Sequence, residues 1–148
     1  MNAFPYGPFH DISVKSDVYR PDWRSTERLA YTNLMADLMA ELLPQDPQLE
    51  GSISTVPIGF LSDIQTPADI SRAIDQLVSH VANLVAIEQR TGQRIALALE
   101  PEPCCFLETI QQTIDFFQHH LFKQGAHLLA FLTGLDLPLA REIMQRHL

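Results

Sequence analysis

The stretch Arg94-Ile-Ala-Leu-Ala-Leu-Glu-Pro-Glu-Pro-Cys-Cys-Phe-Leu-Glu-Thr109 decides the fold that the sequence predicts. Its apolar run from Ile95 to Leu99 is typical of a parallel strand that is buried on both faces. The strand should end at Glu100, because Pro101 cannot donate a ladder hydrogen bond. α/β proteins place their chemistry at the C-terminal ends of parallel strands. The stretch therefore predicts an α/β fold with Glu100 at its candidate site.

The helix that precedes this strand region is predicted to begin after Ser25 or Thr26 and to end at Pro44. Ser and Thr are good N-caps, and proline stops a helix. Apolar residues recur in it at spacings of three and four, which predicts a buried stripe. The stripe comprises Tyr31, Leu34, Met35, Leu38, Met39, Leu42 and Leu43.

A short strand is predicted from Gly51 to Pro57, followed by a long helix. Thr66 and Asp69 form a capping-box pattern around a proline, and Gly92 is the expected left-handed cap at the other end. His80 lies in this helix, and we expect it to flank the apolar stripe rather than to bind a ligand.

A third helix is predicted to open at Thr109, with Gln112 completing its cap. His119 and His120 are expected at its end, and their adjacency argues against a metal pair. More helix is predicted from Ala126, interrupted at Gly134 and restarted at Asp136. The expected buried face of the third helix comprises Ile110, Ile114, Phe117 and Leu121.

Alternation of strands and helices predicts a parallel sheet with right-handed crossovers. Neither strand is followed by a glycine-rich phosphate loop, so we expect no nucleotide cofactor. Two or three strands cannot close a barrel of eight. The sequence therefore predicts one incomplete barrel segment over residues 1–148, with an aromatic, proline-rich loop at 1–24 and β/α units at 25–148. The loop either lines a pocket or closes one end of the core.

Composition limits the kinds of partner. The 148 residues carry a formal charge of −8, which disfavours non-specific nucleic-acid binding. No apolar run approaches the ~20 residues that cross a bilayer, and no signal peptide is recognisable, so we expect a cytoplasmic protein without membrane insertion. Cys104 and Cys105 are the only cysteines, and we expect them to be small side chains of a tight turn.

Several motifs together resemble one family. They are Asn2-Ala-Phe-Pro-Tyr-Gly-Pro-Phe-His10, Val18-Tyr-Arg-Pro-Asp-Trp23, Leu42-Leu-Pro44, Gly51-Ser-Ile-Ser-Thr-Val-Pro57 and Ala96-Leu-Ala-Leu-Glu-Pro-Glu-Pro-Cys-Cys105. With them the chain resembles the EboE metabolite-traffic family. That family is similar to xylose-isomerase-like TIM barrels, the superfamily of sugar and sugar-phosphate isomerases and epimerases. Ala3 departs from the family pattern, which usually has glycine there.

The resemblance implies a partial (β/α)8 barrel of about three β/α units. It implies that Glu100 is a catalytic residue and a ligand of a divalent metal, Mg²⁺ or Mn²⁺, which carboxylate oxygens suit. Tyr6, His10 and Glu102 are the implied substrate-binding residues. The implied partners are a small metabolite such as a sugar or sugar phosphate, and proteins of the same traffic pathway or a complementing barrel half.

Three functional hypotheses stay open on sequence. The first is a metal-dependent isomerase or epimerase, which we expect to be inactive as this chain alone, since one carboxylate cannot hold a catalytic ion. The second is a non-catalytic metabolite-binding or scaffold module, and the third is a plain α/β interaction domain. Loss of Mn²⁺ or Mg²⁺ affinity in Glu100→Gln would favour the first hypothesis.

Overall fold

The computed structural model describes residues 1–7, 15–46 and 48–148. Within them the chain is a mixed α/β protein in which helices predominate over a small parallel sheet. Its strands are β1 (Glu50–Thr55) and β2 (Arg94–Leu99). Its α-helices are α1 (Thr26–Leu42), α2 (Pro67–Thr91), α3 (Ile110–Phe116), α4 (Phe122–Thr133) and α5 (Leu137–His147), with short 3₁₀ turns at Lys15–Tyr19 and Leu61–Asp63.

The two strands pair in parallel, with Gly51 opposite Ile95 and Thr55 opposite Leu99. α2 is the crossover between them, as the alternation of elements predicts. A third strip of backbone lies along the other side of β1, where Asn2 makes a parallel bridge to Ser54. The order across the sheet is therefore residues 1–3, β1 and β2, which is also their order in the chain.

The sheet is covered on one face. The side chains that are buried there are Ile53, Thr55, Ile95, Leu97 and Leu99, and α1, α2 and α5 contact these strands. On the opposite face Ser52 and Ala98 are exposed, and Ser54 and Ala96 are half-buried. The prediction that β2 is buried on both faces is therefore wrong, because its alternate residues are small alanines that no described element covers.

α1 begins and ends as predicted, but a different face of it is buried. Ser25 caps the helix by accepting hydrogen bonds from the backbone N–H groups of Glu27 and Arg28. The buried line is Arg28, Thr32, Ala36 and Ala40, while the exposed line is Leu34, Leu38 and Leu42. Small side chains let the α1 backbone approach its neighbours closely. The prediction that these three leucines belong to the core is therefore wrong, although Met35 and Met39 do pack against it.

α2 begins and ends at the two capping motifs that the sequence predicts. Thr66 and Asp69 form a reciprocal capping box, and Gly92 ends the helix with φ of +74°. His80, however, is completely buried, so the prediction that it flanks the apolar stripe is wrong. Its Nδ1 lies 2.6 Å from Asn33 Oδ1, which ties α2 to α1.

α3 and α4 form one continuous helix through a π-helical turn at Phe117–Leu121. The sequence predicted His119 and His120 at the end of the third helix. The structure places them inside this π-helical turn instead. Leu121 is buried as predicted, but Phe116 takes the inward position beside Phe106, and Ile110 and Ile114 are exposed. The predicted buried face is therefore wrong for these two isoleucines.

α5 is pinned to the outer edge of β2. His147 Nδ1 donates to the carbonyl oxygen of Ile95 at 2.7 Å, and its Nε2 lies 3.1 Å from a Glu88 carboxylate oxygen. Arg146 donates to the same carboxylate at 2.9 Å. Burial lowers the pKa of His147, against the opposing effect of its contacts with Ile95 and Glu88. Among the described residues no helix is long and apolar enough to cross a membrane.

Candidate functional site

Glu100 stands at the C-terminal end of β2, on the uncovered face of the sheet. Its backbone N–H donates to the carbonyl oxygen of Thr55 at 3.1 Å, so the ladder continues one residue past the strand. Strand side chains alternate between the two faces, which places Glu100 on the face that carries Ala96 and Ala98. Glu100 is half-buried, and in the described part of the chain its carboxylate has no hydrogen-bond or ion-pair partner.

Two polar residues share this face with Glu100. Ser54 lies opposite Ala98 in the register, and the parallel bridge places Asn2 beside Ser54. Asn2 Oδ1 accepts from the backbone N–H of Phe4 at 2.8 Å, which holds the side chain close to the backbone. The position of Ser54 along the face shared with Glu100 depends on strand register, which no local signal gives.

The loops that follow β1 and β2 pair with each other above the strand ends. Phe60 makes an antiparallel bridge to Cys105. Leu61 donates its N–H to Cys104 O at 2.9 Å, and Phe106 donates to Gly59 O at 3.0 Å. This pairing fixes the loop that carries Glu102 against the neighbouring strand-end loop.

The turn after β1 contains a backbone outlier. Ile58 is completely buried and has φ of +73°, a conformation that is exceptional for a β-branched residue. Its carbonyl oxygen accepts from Trp23 N–H at 2.9 Å, which ties the turn to the segment before α1. Such strain persists only where surrounding contacts fix it, and it is often found near functional sites.

Glu102 is oriented by Tyr19 rather than by Glu100. The Tyr19 hydroxyl donates to Glu102 Oε2 at 2.7 Å, and its ring packs against Phe4 and Phe60. Burial raises the pKa of Tyr19 well above its usual range, and the Glu102 carboxylate adds to that effect. Tyr19 is therefore a hydrogen-bond donor that holds Glu102 in one orientation. Its partner is 83 residues away in sequence, so no local pattern could have identified this pair.

Tyr6 lies against α1. Its ring makes an edge-to-face contact with Tyr31 at 5.1 Å between centroids, and the Arg28 guanidinium lies 5.9 Å from its centroid. Tyr6 is 45% exposed. The structure thus brings Tyr6 together with Tyr31 and Arg28, and brings Glu102 together with Tyr19. His10 lies outside the described residues.

Arg28 is a completely buried residue that sequence reasoning did not single out. Its guanidinium donates to the carbonyl oxygens of Pro21 at 2.7 Å, Ala3 at 2.9 Å and Phe4 at 3.2 Å. Burial lowers its pKa to about 10. Arg28 therefore joins the strip at residues 1–3 to α1 and fixes the backbone that leads to Tyr6. The sequence signal that could have indicated its burial is the four-residue spacing of Arg28, Thr32, Ala36 and Ala40.

The donor set does not complete a metal centre within the described residues. They contain no group of three His, Cys, Asp or Glu side chains that could hold an ion. Glu100 offers carboxylate oxygens of the kind that Mg²⁺ and Mn²⁺ prefer, while Tyr19 engages Glu102. One free carboxylate does not meet the octahedral demand of Mg²⁺. The described residues alone therefore do not fit a tightly bound divalent ion.

The two cysteines form the tight turn that the sequence predicts, and both are free thiols. Cys104 is exposed and has φ of +67°, whereas Cys105 is buried. Burial raises the pKa of the Cys105 thiol to about 11. Since the thiolate is the reactive form, burial and the raised pKa both disfavour reaction of Cys105 at neutral pH.

In comparisons with protein-family models, curated proteins and solved structures, nothing matches the chain.

Proposed function

We propose that the chain is a segment of a (β/α)8 barrel of the EboE type, similar to xylose-isomerase-like sugar or sugar-phosphate isomerases and epimerases and serving metabolite traffic. The uncovered face of its parallel sheet is the observation that carries this proposal. Parallel sheets in proteins are normally covered on both faces. Here one face is packed by helices, and the middle of the other carries the small side chains of Ser52, Ser54, Ala96 and Ala98. In a barrel that second face is the interior, filled by side chains of further strands.

The strand order supports the same proposal. Residues 1–3, β1 and β2 are neighbours in chain order, as successive strands of a barrel are. The Glu100–Thr55 bond sets which main-chain groups of β2 face β1, and alternation then directs those of Leu97 and Leu99 to the outer edge. A further parallel strand, from a complementing barrel half, could pair with Leu97 and Leu99 on that edge, beyond the Ile95 carbonyl that His147 occupies.

In this proposal Glu100 is a ligand or a general base at the strand-end site. A divalent ion, held with ligands from further strands, would polarise a substrate carbonyl. Among the described residues the Glu100 carboxylate has no ion-pair partner, and it lies on the uncovered face at the C-terminal end of β2. Glu102, fixed by Tyr19, has a second carboxylate oxygen with which to accept a hydrogen bond from a sugar hydroxyl.

A non-catalytic metabolite-binding or scaffold module is the second candidate function. It is favoured by the incomplete donor set around Glu100 among the described residues. Under this alternative the strand-end residues bind a polyol through hydrogen bonds alone. Divalent ions would then be irrelevant to ligand affinity.

Electron paramagnetic resonance of free Mn²⁺ tests the role of Glu100. We expect the chain to bind Mn²⁺ weakly, with a dissociation constant of about 1 mM or somewhat below. Glu100→Gln should weaken that binding about fivefold or more, because it removes the charge but not the shape. Glu142→Gln, an exposed carboxylate of α5, is the matched control and should change nothing. Equal affinity in the wild type and Glu100→Gln would rule out the metal role. Sugar-phosphate binding that is independent of Mn²⁺ would establish the alternative.

A further inference from the structure

The three leucines that α1 leaves outside the core form a continuous line. Leu34 is 53% exposed, Leu38 44% and Leu42 72%. Residues four apart are neighbours on a helix surface, so the line runs for about 12 Å at a rise of 1.5 Å per residue. Scattered exposed leucines are ordinary, whereas three in one line form a single apolar strip. We name this strip the leucine ridge.

The leucine ridge lies on the flank of α1 that α2 does not occupy. α2 reaches α1 through His80, which contacts Asn33, and through Arg90, which contacts Asp37. At about 100° per residue around the helix axis, Leu38 is roughly 100° from Asp37. Packing between α1 and α2 therefore leaves the ridge free for another element.

The ionisable side chains of α1 beside the leucine ridge are acidic, and one of them, Asp37, is paired with Arg90 of α2. Glu27 and Glu41 are exposed on α1, and the Ser25 hydroxyl lowers the pKa of Glu27, which keeps it ionised. The one basic residue of α1 is Arg28, which is completely buried. A second copy packed antiparallel would bring these carboxylates against each other, and the chain already carries a charge of −8. Charge complementarity therefore favours a basic occupant over self-association.

We propose that the leucine ridge docks an amphipathic helix of a partner protein, with lysine or arginine residues on both sides of its apolar stripe. The stripe packs against Leu34, Leu38 and Leu42 in the helix-to-helix manner of ridges and grooves. The basic side chains meet Glu27 and Glu41 at the rim, where they speed association and fix orientation. This interaction uses neither Glu100 nor the uncovered face of the sheet, so its test does not depend on the metal role of Glu100.

Fluorescence anisotropy of a labelled synthetic peptide tests the docking directly. The peptide has about 18 residues, enough for a stable helix, with leucines at spacings of three and four and lysines beside them. The whole 148-residue chain should bind it saturably. The triple variant Leu34→Gln/Leu38→Gln/Leu42→Gln should bind about tenfold more weakly. Glu41→Lys should weaken binding about threefold through charge alone.

The matched control is Ile110→Gln/Phe131→Gln, which removes two exposed apolar side chains elsewhere. It should bind the peptide as the wild type does, and circular dichroism should show all variants folded. Failure to bind overturns the proposal, as does equal binding by the triple variant or equal affinity for a peptide with glutamates in place of lysines. Sedimentation equilibrium that shows a wild-type dimer, dissociated in the triple variant, would assign the ridge to a second copy and also overturn it.

Discussion

Glu100 donates its backbone N–H to the carbonyl oxygen of Thr55 at 3.1 Å. This one bond fixes the register at the end of the sheet and the face on which Glu100 lies. It also determines which main-chain groups of β2 are left on its outer edge. The position of the candidate site and the open edge are therefore two consequences of the same pairing.

Amide hydrogen exchange followed by NMR should distinguish the two sides of β2. Ala96 and Ala98 donate toward β1, whereas the N–H groups of Leu97 and Leu99 point to the outer edge. We expect the two leucine amides to exchange about a hundredfold faster than the two alanine amides, because edge groups open without breaking the ladder. Equal protection of all four amides would show that the edge is covered.

Arg28→Met should destabilise the fold by about 3 kcal/mol, because it leaves the buried carbonyls of Ala3 and Phe4 without a donor. Urea denaturation monitored by Trp23 fluorescence measures the loss. Arg72→Met, on an exposed part of α2, is the control and should be nearly neutral. A loss below about 1 kcal/mol for Arg28→Met would contradict the anchoring role.

His80 should make the fold less stable as the pH falls below about 6.5. Burial lowers its pKa from 6.5 to about 3, so the unfolded chain takes up the proton first. The contribution of His80 to the free energy of unfolding is fully present above pH 6.5 and declines toward pH 3. At pH 5 the loss from this group is about 2 kcal/mol. His147, whose pKa is also lowered, acts with the same sign.

Urea denaturation at pH 7 and pH 5 measures the effect of His80. His80→Leu should lose about 2 kcal/mol less than the wild type between these two pH values. His127→Gln, which changes an exposed histidine, should behave as the wild type. An identical pH dependence in His80→Leu would show that His80 is not buried in its neutral form.

The two adjacent cysteines should react with Ellman's reagent at very different rates. Cys104 is exposed, while Cys105 is buried and its thiol pKa is raised to about 11. At pH 8 we expect one thiol to react promptly and the other only after denaturation. Cys104→Ser should abolish the prompt phase and Cys105→Ser should keep it. Two prompt thiols in the wild type would contradict this arrangement of the turn.

Local sequence signals predicted helix caps well. Thr66 with Asp69 and Thr109 with Gln112 form the predicted capping boxes, Gly92 takes the expected left-handed conformation, and Gly134 ends α4 where a break was predicted. These signals involve residues within one helical turn, so their physics is contained in the sequence.

Burial could not be predicted in the same way. Leu34, Leu38 and Leu42 form a good apolar stripe, yet α1 buries the line from Arg28 to Ala40 instead. Arg28 is buried because distant carbonyl oxygens accept its hydrogen bonds, and His80 because Asn33 of another helix meets it. Pattern alone cannot show partners that the tertiary fold supplies.

The same distinction between local signals and long-range contacts applies to the candidate site. The end of the apolar run predicted where Glu100 stands, because Pro101 limits the strand. The bond from Tyr19 to Glu102 and the placement of Ser54 beside Asn2 depend on loop pairing and register between segments far apart in sequence. Those relations appear only in the folded chain.

The proposed function requires Glu100 to form a cation-binding position on the uncovered face of the sheet. Paramagnetic broadening of backbone amide NMR signals by Mn²⁺ tests this requirement most directly. As Mn²⁺ is added, we expect the signals of Glu100, Ala98 and Ser54 to broaden first, because they surround the free carboxylate. Glu100→Gln should abolish this local effect and Glu142→Gln should preserve it. Broadening centred on other carboxylates, or unchanged in Glu100→Gln, would contradict the account.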